Sequence, residues 1–195
     1  MIKISASVMM HPSRAQYRDY LLEKLADFGE VKIAMDCGKG ILDTCRRAWE
    51  MYDASADYHL VIQDDAIIGK NFKENAIKEI SAHPDCAFSF YFGNRKRFLE
   101  TAKKADANDG IEMHWVSWGV AICLPTRIIP GLIDFFGTIE GRLTNHDDTV
   151  IANYLQKIKM PVWYPMPALV DHRQEKSLVE SDPGGGRRAY KFIGE

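Results

Sequence analysis

Apolar positions along the first half of the chain follow two alternating periods. Residues 2–10 are a short apolar run spaced by serines, which predicts a buried strand. His11-Pro12-Ser13 breaks the run, with Ser13 placed to cap a helix. From Arg14 to Phe28 apolar side chains recur at Tyr17, Leu21, Leu25 and Phe28, one face of a helix that Gly29 ends. Val31 to Met35 predicts a second strand, and Ile41 to Tyr52 a second helix after Cys37-Gly38-Lys39-Gly40. Tyr58 to Ile62 is a third strand that runs straight into Gln63-Asp64-Asp65, and Asn71 to Ala82 is a helix turning Phe72, Ala76, Ile77 and Ile80 inward.

Further along, Ala87 to Phe92 reads as an aromatic-rich strand, Arg95 to Lys104 as helix and Ala105 to Gly110 as a polar loop. Met113 to Leu124 reads as strand interrupted at Gly119, and Pro125-Thr126 opens a helix to about Phe136. Val150, Ile151, Tyr154 and Leu155 give a helix from Asp147 to Lys157, and Pro161 to Tyr164 is a last short strand. The three strand–helix repeats at the start predict an α/β fold: a mixed, mostly parallel sheet flanked by helices in a single Rossmann-like domain. That domain spans residues 1–180, and a flexible tail carrying Gly184-Gly185-Gly186 and Arg187-Arg188 occupies 181–195. In such sheets ligands bind beyond the carboxyl ends of the strands. Asp36, Asp64-Asp65 and the His11–Arg14 loop all fall there.

Composition narrows the function classes. Lys+Arg total 25 against Asp+Glu 27, a formal charge of −2, which argues against a protein-wide electrostatic grip on nucleic acid. A local basic cluster, Arg95, Lys96, Arg97, Lys103 and Lys104, is still able to meet phosphates. Cys37, Cys45, Cys86 and Cys123 are scattered, without the close spacing of a zinc site, and read as reduced thiols. A cytoplasmic location follows. The first residues are too short and polar for a secretory signal, and no run approaches the ~18 apolar residues of a membrane span.

The sharpest chemical feature is Leu60-Val61-Ile62-Gln63-Asp64-Asp65. An apolar strand ending in paired carboxylates suits a hard cation such as Mg²⁺ or Mn²⁺, which takes oxygen ligands and shares them with a diphosphate. The same pair also fits turn or helix-capping acids. His172, after Pro167-Ala168-Leu169-Val170-Asp171, can add a nitrogen ligand or be a structural histidine. Asp147 and Asp148 open a helix, where they cap free N–H groups and can also take a proton from an acceptor hydroxyl. Arg14, Lys39, Arg46, Arg47, Arg187 and Arg188 are candidates to neutralise a diphosphate or plain solvated charge. Trp115, Trp118 and Gly119 form either a sugar platform against close backbone or part of a core strand.

Taken in order, the Pro/Arg loop, Asp36, Gln63-Asp64-Asp65, the Trp118-Gly119 segment, His146-Asp147-Asp148 and Pro167-x-Leu169-Val170-x-His172 with Ser177 soon after resemble the GT-A class of glycosyltransferases, especially small bacterial and phage-type members. The resemblance implies that Asp65 and His172 hold Mn²⁺ or Mg²⁺. It places Arg14 and Asp36 on the donor nucleoside, with Asp64 supporting the ribose or the ion; Pro12, Arg46, Arg187 and Arg188 are further donor candidates on the residue reading. Asp148 or Asp147 would face the acceptor. The implied reaction moves a sugar from a nucleoside diphosphate sugar, a UDP-sugar foremost, to a hydroxyl on a glycan or on a modified nucleic-acid base. Gln63-Asp64-Asp65 departs from a strict Asp-x-Asp, and His146 stands where a Glu is common. A nucleotidyltransferase, or a nucleotide- or metal-binding module without catalysis, are the rival readings; the first usually has a Gly-rich basic loop after its first strand, whereas here Met9-Met10-His11-Pro12-Ser13-Arg14 has no glycine.

Overall fold

Residues 2–138, 146–174, 178 and 187–194 are described by the structure, a computed structural model. In chain order the strands are β1 (Ile4–Met10), β2 (Val31–Met35), β3 (Tyr58–Gln63), β4 (Ala66–Ile68), β5 (Ala87–Ser89), β6 (Gly110–Met113), β7 (Ala121–Pro125), β8 (Val162–Pro165) and β9 (Val170–His172). The α-helices are α1 (Arg18–Lys24), α2 (Ile41–Glu50), α3 (Phe72–Ala82), α4 (Leu99–Asp106), α5 (Ile129–Thr138) and α6 (Asp147–Lys157).

Seven strands form one sheet in the order β2-β1-β3-β7-β5-β8-β6. Pairs β1–β2, β1–β3 and β5–β8 are parallel; β3–β7, β5–β7 and β6–β8 are antiparallel. Following the chain directions across these pairs, only β7 and β6 run against the other five, so the sheet is mixed with most strands pointing one way. β3 is buried along Tyr58–Ile62, as expected of a strand covered on both faces. The serines of β1 have a partner there. Ser5 and Ser7 hydrogen-bond the two ring nitrogens of the buried His59 at 2.8 and 3.1 Å, and Ser7 also donates to the Ala48 carbonyl of α2. Burial pushes the His59 pKa down to about 4, so the ring stays neutral inside the core.

Several elements differ from the pattern in the sequence, each for a local reason. The helix expected from Arg14 to Phe28 is a 3₁₀ turn over Pro12–Tyr17, then α1, then a second 3₁₀ turn over Ala26–Phe28. Arg14 leaves helical geometry (φ −118°, ψ 16°) at the point where its side chain turns inward. The strand expected over Ala87 to Phe92 stops at Ser89, because at Phe90 the chain changes partners: its carbonyl accepts from Leu169 and Val170. The expected strand from Met113 to Leu124 is two strands in different places, since β6 pairs with β8 at one edge while β7 lies between β3 and β5. The chain from His114 to Val120 crosses between them as a loop.

A second sheet has only β4 and β9, antiparallel, with Ala66 opposite His172. Residues 187–194 lie against this region. Tyr190 N–H donates to Phe92 O, Asn94 N–H to Arg188 O, Ala168 N–H to Lys191 O and Lys70 N–H to Gly194 O. Of the tail expected to be flexible from residue 181, this stretch is therefore held by backbone hydrogen bonds; residues 181–186, with the Gly184–Gly186 run, lie outside the described residues, as does Ser177. The Arg188 Nε sits 2.7 Å from Oδ2 of the buried Asp171, whose Oδ1 accepts from Ala189 N–H and His172 N–H. Arg188→Ala leaves that carboxylate without its cation and should cost about 1–2 kcal/mol, read as a lower midpoint in urea unfolding. Among the described residues no helix is long and apolar enough to cross a membrane.

Candidate active site

The carboxyl ends of β1, β2 and β3 meet at one edge of the sheet. β3 delivers Asp64 and Asp65 there, and the turn after β1 delivers Arg14. Both oxygens of Asp64 are engaged, Oδ1 by Arg14 Nη1 at 2.9 Å and Oδ2 by the His11 N–H at 2.7 Å. The same Arg14 nitrogen reaches Asp65 Oδ2 at 2.5 Å. Burial opposes charge on this guanidinium, but Asp65 and Asp64 outweigh it and its pKa is raised. Burial also raises the Asp64 pKa, against the His11 N–H and Arg14. One arginine thus holds two buried carboxylates in place.

Asp65 is not fully engaged. Its Oδ1 is buried and has no hydrogen-bond partner among the described residues. Its Oδ2 faces His172 Nε2 at 3.3 Å, because the β4–β9 register sets His172 beside the end of β3. His172 Nδ1 meets the Arg173 carbonyl, which can only accept, so a proton sits on Nδ1 and Nε2 is the nitrogen turned towards Asp65. A carboxylate with one oxygen unpartnered among the described residues, and an imidazole nitrogen 3.3 Å from its other oxygen, fit a divalent cation. Among the described residues no three His, Cys, Asp or Glu side chains converge on such an ion, so the remaining ligands would be water and substrate oxygens, as is usual for Mg²⁺-type sites.

Opposite this edge stands α6. Asp147 is buried and accepts from Gln63 Nε2 at 3.1 Å. Burial, then the neighbouring Asp148, pushes its pKa up to about 6, against the Asp148 N–H and Gln63. Asp148, partly exposed, is also raised, by burial, with His146 and Arg95 among the groups acting against it. A Cβ on Gly119 would lie 2.8 Å from both Asp147 Oδ2 and Gln63 Nε2, so any side chain here must push the ends of those two side chains aside. Trp118 is packed among Tyr91, Phe92, Phe98 and Tyr164 and turns little surface outward.

Between the two walls lies a cleft of about 1210 Å³. It gathers Arg14, Asp36, Asp64, Asp65, Trp118, Gly119, Asp147, Asp148, His172 and Arg187 from among the expected site residues. Four others stand elsewhere. Pro12 opens the 3₁₀ turn outside the cleft lining, and Arg46 pairs with Glu50 one turn along on the exposed face of α2. Trp115 is exposed, with its carbonyl held by the Tyr164 hydroxyl, and Arg188 is taken by Asp171. Asp36 accepts from Gly38 N–H at 2.8 Å, which shapes the loop that brings Lys39 to the cleft.

No protein-family model and no curated protein sequence matches the chain. Solved structures do. The catalytic domain of Drosophila beta1,4-galactosyltransferase 7, in complex with xylobiose, superposes with a TM-score of 0.53 at 10% identity, over 95% of this chain and 76% of that one. A glycosyltransferase involved in the glycosylation of the major capsid of PBCV-1 gives 0.54 at 10% identity, over 90% and 96%. The fold is that of the GT-A glycosyltransferases. A mutant of the Drosophila enzyme with manganese, UDP-Gal and xylobiose matches at 0.49 and 9%, over 93% and 78%. Residues lining the cleft with no site role assigned from the sequence include Arg97, Thr44 and Tyr91. Arg97 was visible only as part of a basic cluster. Thr44 and Tyr91 lie in apolar segments whose cleft-facing side depends on the loops around them.

Proposed function

We propose that the chain is a metal-dependent glycosyltransferase that moves a sugar from a nucleoside diphosphate sugar, a UDP-sugar foremost, to a hydroxyl acceptor. The observation that carries the reading is Asp65: a buried carboxylate with one oxygen unpartnered among the described residues, beside His172 Nε2, in a cleft with a second acidic wall. The GT-A fold supports it, as do the sugar ligand of the Drosophila neighbour and the capsid glycosylation of the viral one.

Asp65 and His172 would hold Mn²⁺ or Mg²⁺, which when bound supplies Lewis-acid stabilisation of the leaving diphosphate. Asp64 and Arg14 fix the orientation of Asp65, and Asp36 with Lys39 lines the side of the cleft suited to the nucleoside. Arg187 at the rim adds positive charge for the phosphates. Asp147, with a pKa near 6, is matched to accepting a proton from the acceptor hydroxyl at neutral pH, with Asp148 beside it. A glycan acceptor suits the two neighbours better than a nucleic-acid base, and the formal charge of −2 agrees.

A thermal-shift screen of nucleotide sugars with and without Mn²⁺ tests the reading. At a hundredfold excess over the dissociation constant a donor should stabilise the fold by ~2.7 kcal/mol, which raises the Tm by roughly 5–10 °C, and only with the ion present. No shift with any nucleotide sugar would count against it.

A further inference from the structure

Gln63 ends β3 and immediately precedes Asp64, yet its side chain points away from the metal side of the cleft. Its backbone N–H donates to Val120 O at 2.9 Å, which sets it beside Gly119. Its amide nitrogen then crosses to Asp147 Oδ2 at 3.1 Å. The bond runs beside the space that a Gly119 Cβ would take, 2.8 Å from each of its two atoms. A carboxylate only accepts, so the amide must present its NH₂ group here. Asp147 is 5% exposed, and Gln63 is the side chain that donates to it.

We propose that Gln63 is the positioning residue of Asp147, holding its carboxylate ready for the acceptor through the gap left by Gly119. What the carboxylate does rests on the glycosyltransferase reading; the bond itself does not. Because Gln63 and Asp64 are neighbours on one strand end, the same backbone that orients the donor-side acids sets the place of the acceptor-side acid. This accounts for a residue that the metal chemistry leaves unused, and for a glycine where a turn does not require one.

The groups around Asp147 define what a substitution does. Asp148 stands next in the helix and repels its charge. The buried Cys45 thiol of α2 lies within its field, and His146 and Arg95 act on Asp148. Gln63 is a neutral donor that favours the ionised form. Removing it should raise the Asp147 midpoint by about one pH unit.

The test compares wild type, Gln63→Leu and Gly119→Ala. The second variant keeps both partners and wedges them apart, so it carries the test if the first folds poorly. Carbon NMR of aspartate-labelled, metal-free protein reads the Asp147 midpoint without any substrate. The midpoint should move up by about one pH unit in both variants, and kcat should fall about tenfold at pH 5.5 but much less at pH 8. An unmoved midpoint in the variants overturns the proposal, even if sugar transfer is intact. A shifted midpoint in a protein whose wild type turns over no donor supports the positioning bond and overturns the glycosyltransferase reading instead.

Discussion

Asp65→Ala is expected to lose at least about a thousandfold in sugar transfer, with no Mn²⁺ concentration restoring it. The carboxylate is the one whose Oδ1 lacks a partner, and the one that Arg14 and His172 both approach. Removing it deletes the charged ligand and leaves an imidazole to hold the ion alone. A loss of several kcal/mol of transition-state stabilisation corresponds to roughly 10³ or more in rate. Asp64→Ala should act differently. Asp64 spends both oxygens on Arg14 and the His11 N–H, so its loss loosens the β1 turn and weakens donor binding before it removes the ion. Initial rates across a Mn²⁺ titration separate the two. A response of Asp65→Ala to saturating Mn²⁺ with wild-type kcat would remove Asp65 from its assigned role.

Asp147→Asn should move stability and activity in opposite directions. The carboxyl titrates at about 6 in the fold against 3.8 in an open chain, chiefly because it is buried. Between those values the folded state holds a proton that the unfolded chain releases. Stability therefore falls as pH rises from about 4 to about 6, and the loss persists at pH 7. Asparagine has no charge to bury, and is expected to recover about 2 kcal/mol at pH 7, a Tm increase of roughly 4–8 °C. The difference from wild type should vanish below about pH 4. Transfer should fall by about 10² to 10⁴, the usual range for a general base. The wild-type kcat should rise through an apparent pKa near 6 as the carboxylate ionises. A variant that is both more stable and as active would leave Asp148 as the acid that meets the acceptor.

Strand ends carrying acids were the most legible part of the site. Leu60-Val61-Ile62 is a buried run with no helical period, so the chain had to turn at Asp64-Asp65, and the structure ends β3 one residue before them. The α6 start was equally plain, since Val150, Ile151, Tyr154 and Leu155 form one buried stripe with Asp147-Asp148 in the first turn. What brings Asp65 to His172 was not legible in the residues: β4 and β9 are three residues each, too short for any periodicity, and only the ordered resemblance paired the two. Charged residues were hardest to place. Arg46 was a candidate either for the donor or for plain solvated charge, and its i,i+4 spacing to Glu50 is what the structure uses, in an exposed ion pair on α2. Arg188 matched the same expectation, while the structure spends it on Asp171, an acid that had no role in the pattern. Trp115 and Trp118 sit three apart in a loop, where no period says which ring faces the cleft.

The claim on which the rest depends is that Asp65 and His172 together receive a divalent cation from the donor diphosphate. Anomalous diffraction from crystals grown with Mn²⁺ and UDP tests it most directly. The account predicts a manganese peak within bonding distance of the Asp65 carboxylate and His172 Nε2, with diphosphate oxygens among its ligands. Nucleotide bound in the cleft with no manganese near Asp65, or manganese held by other side chains, would contradict it.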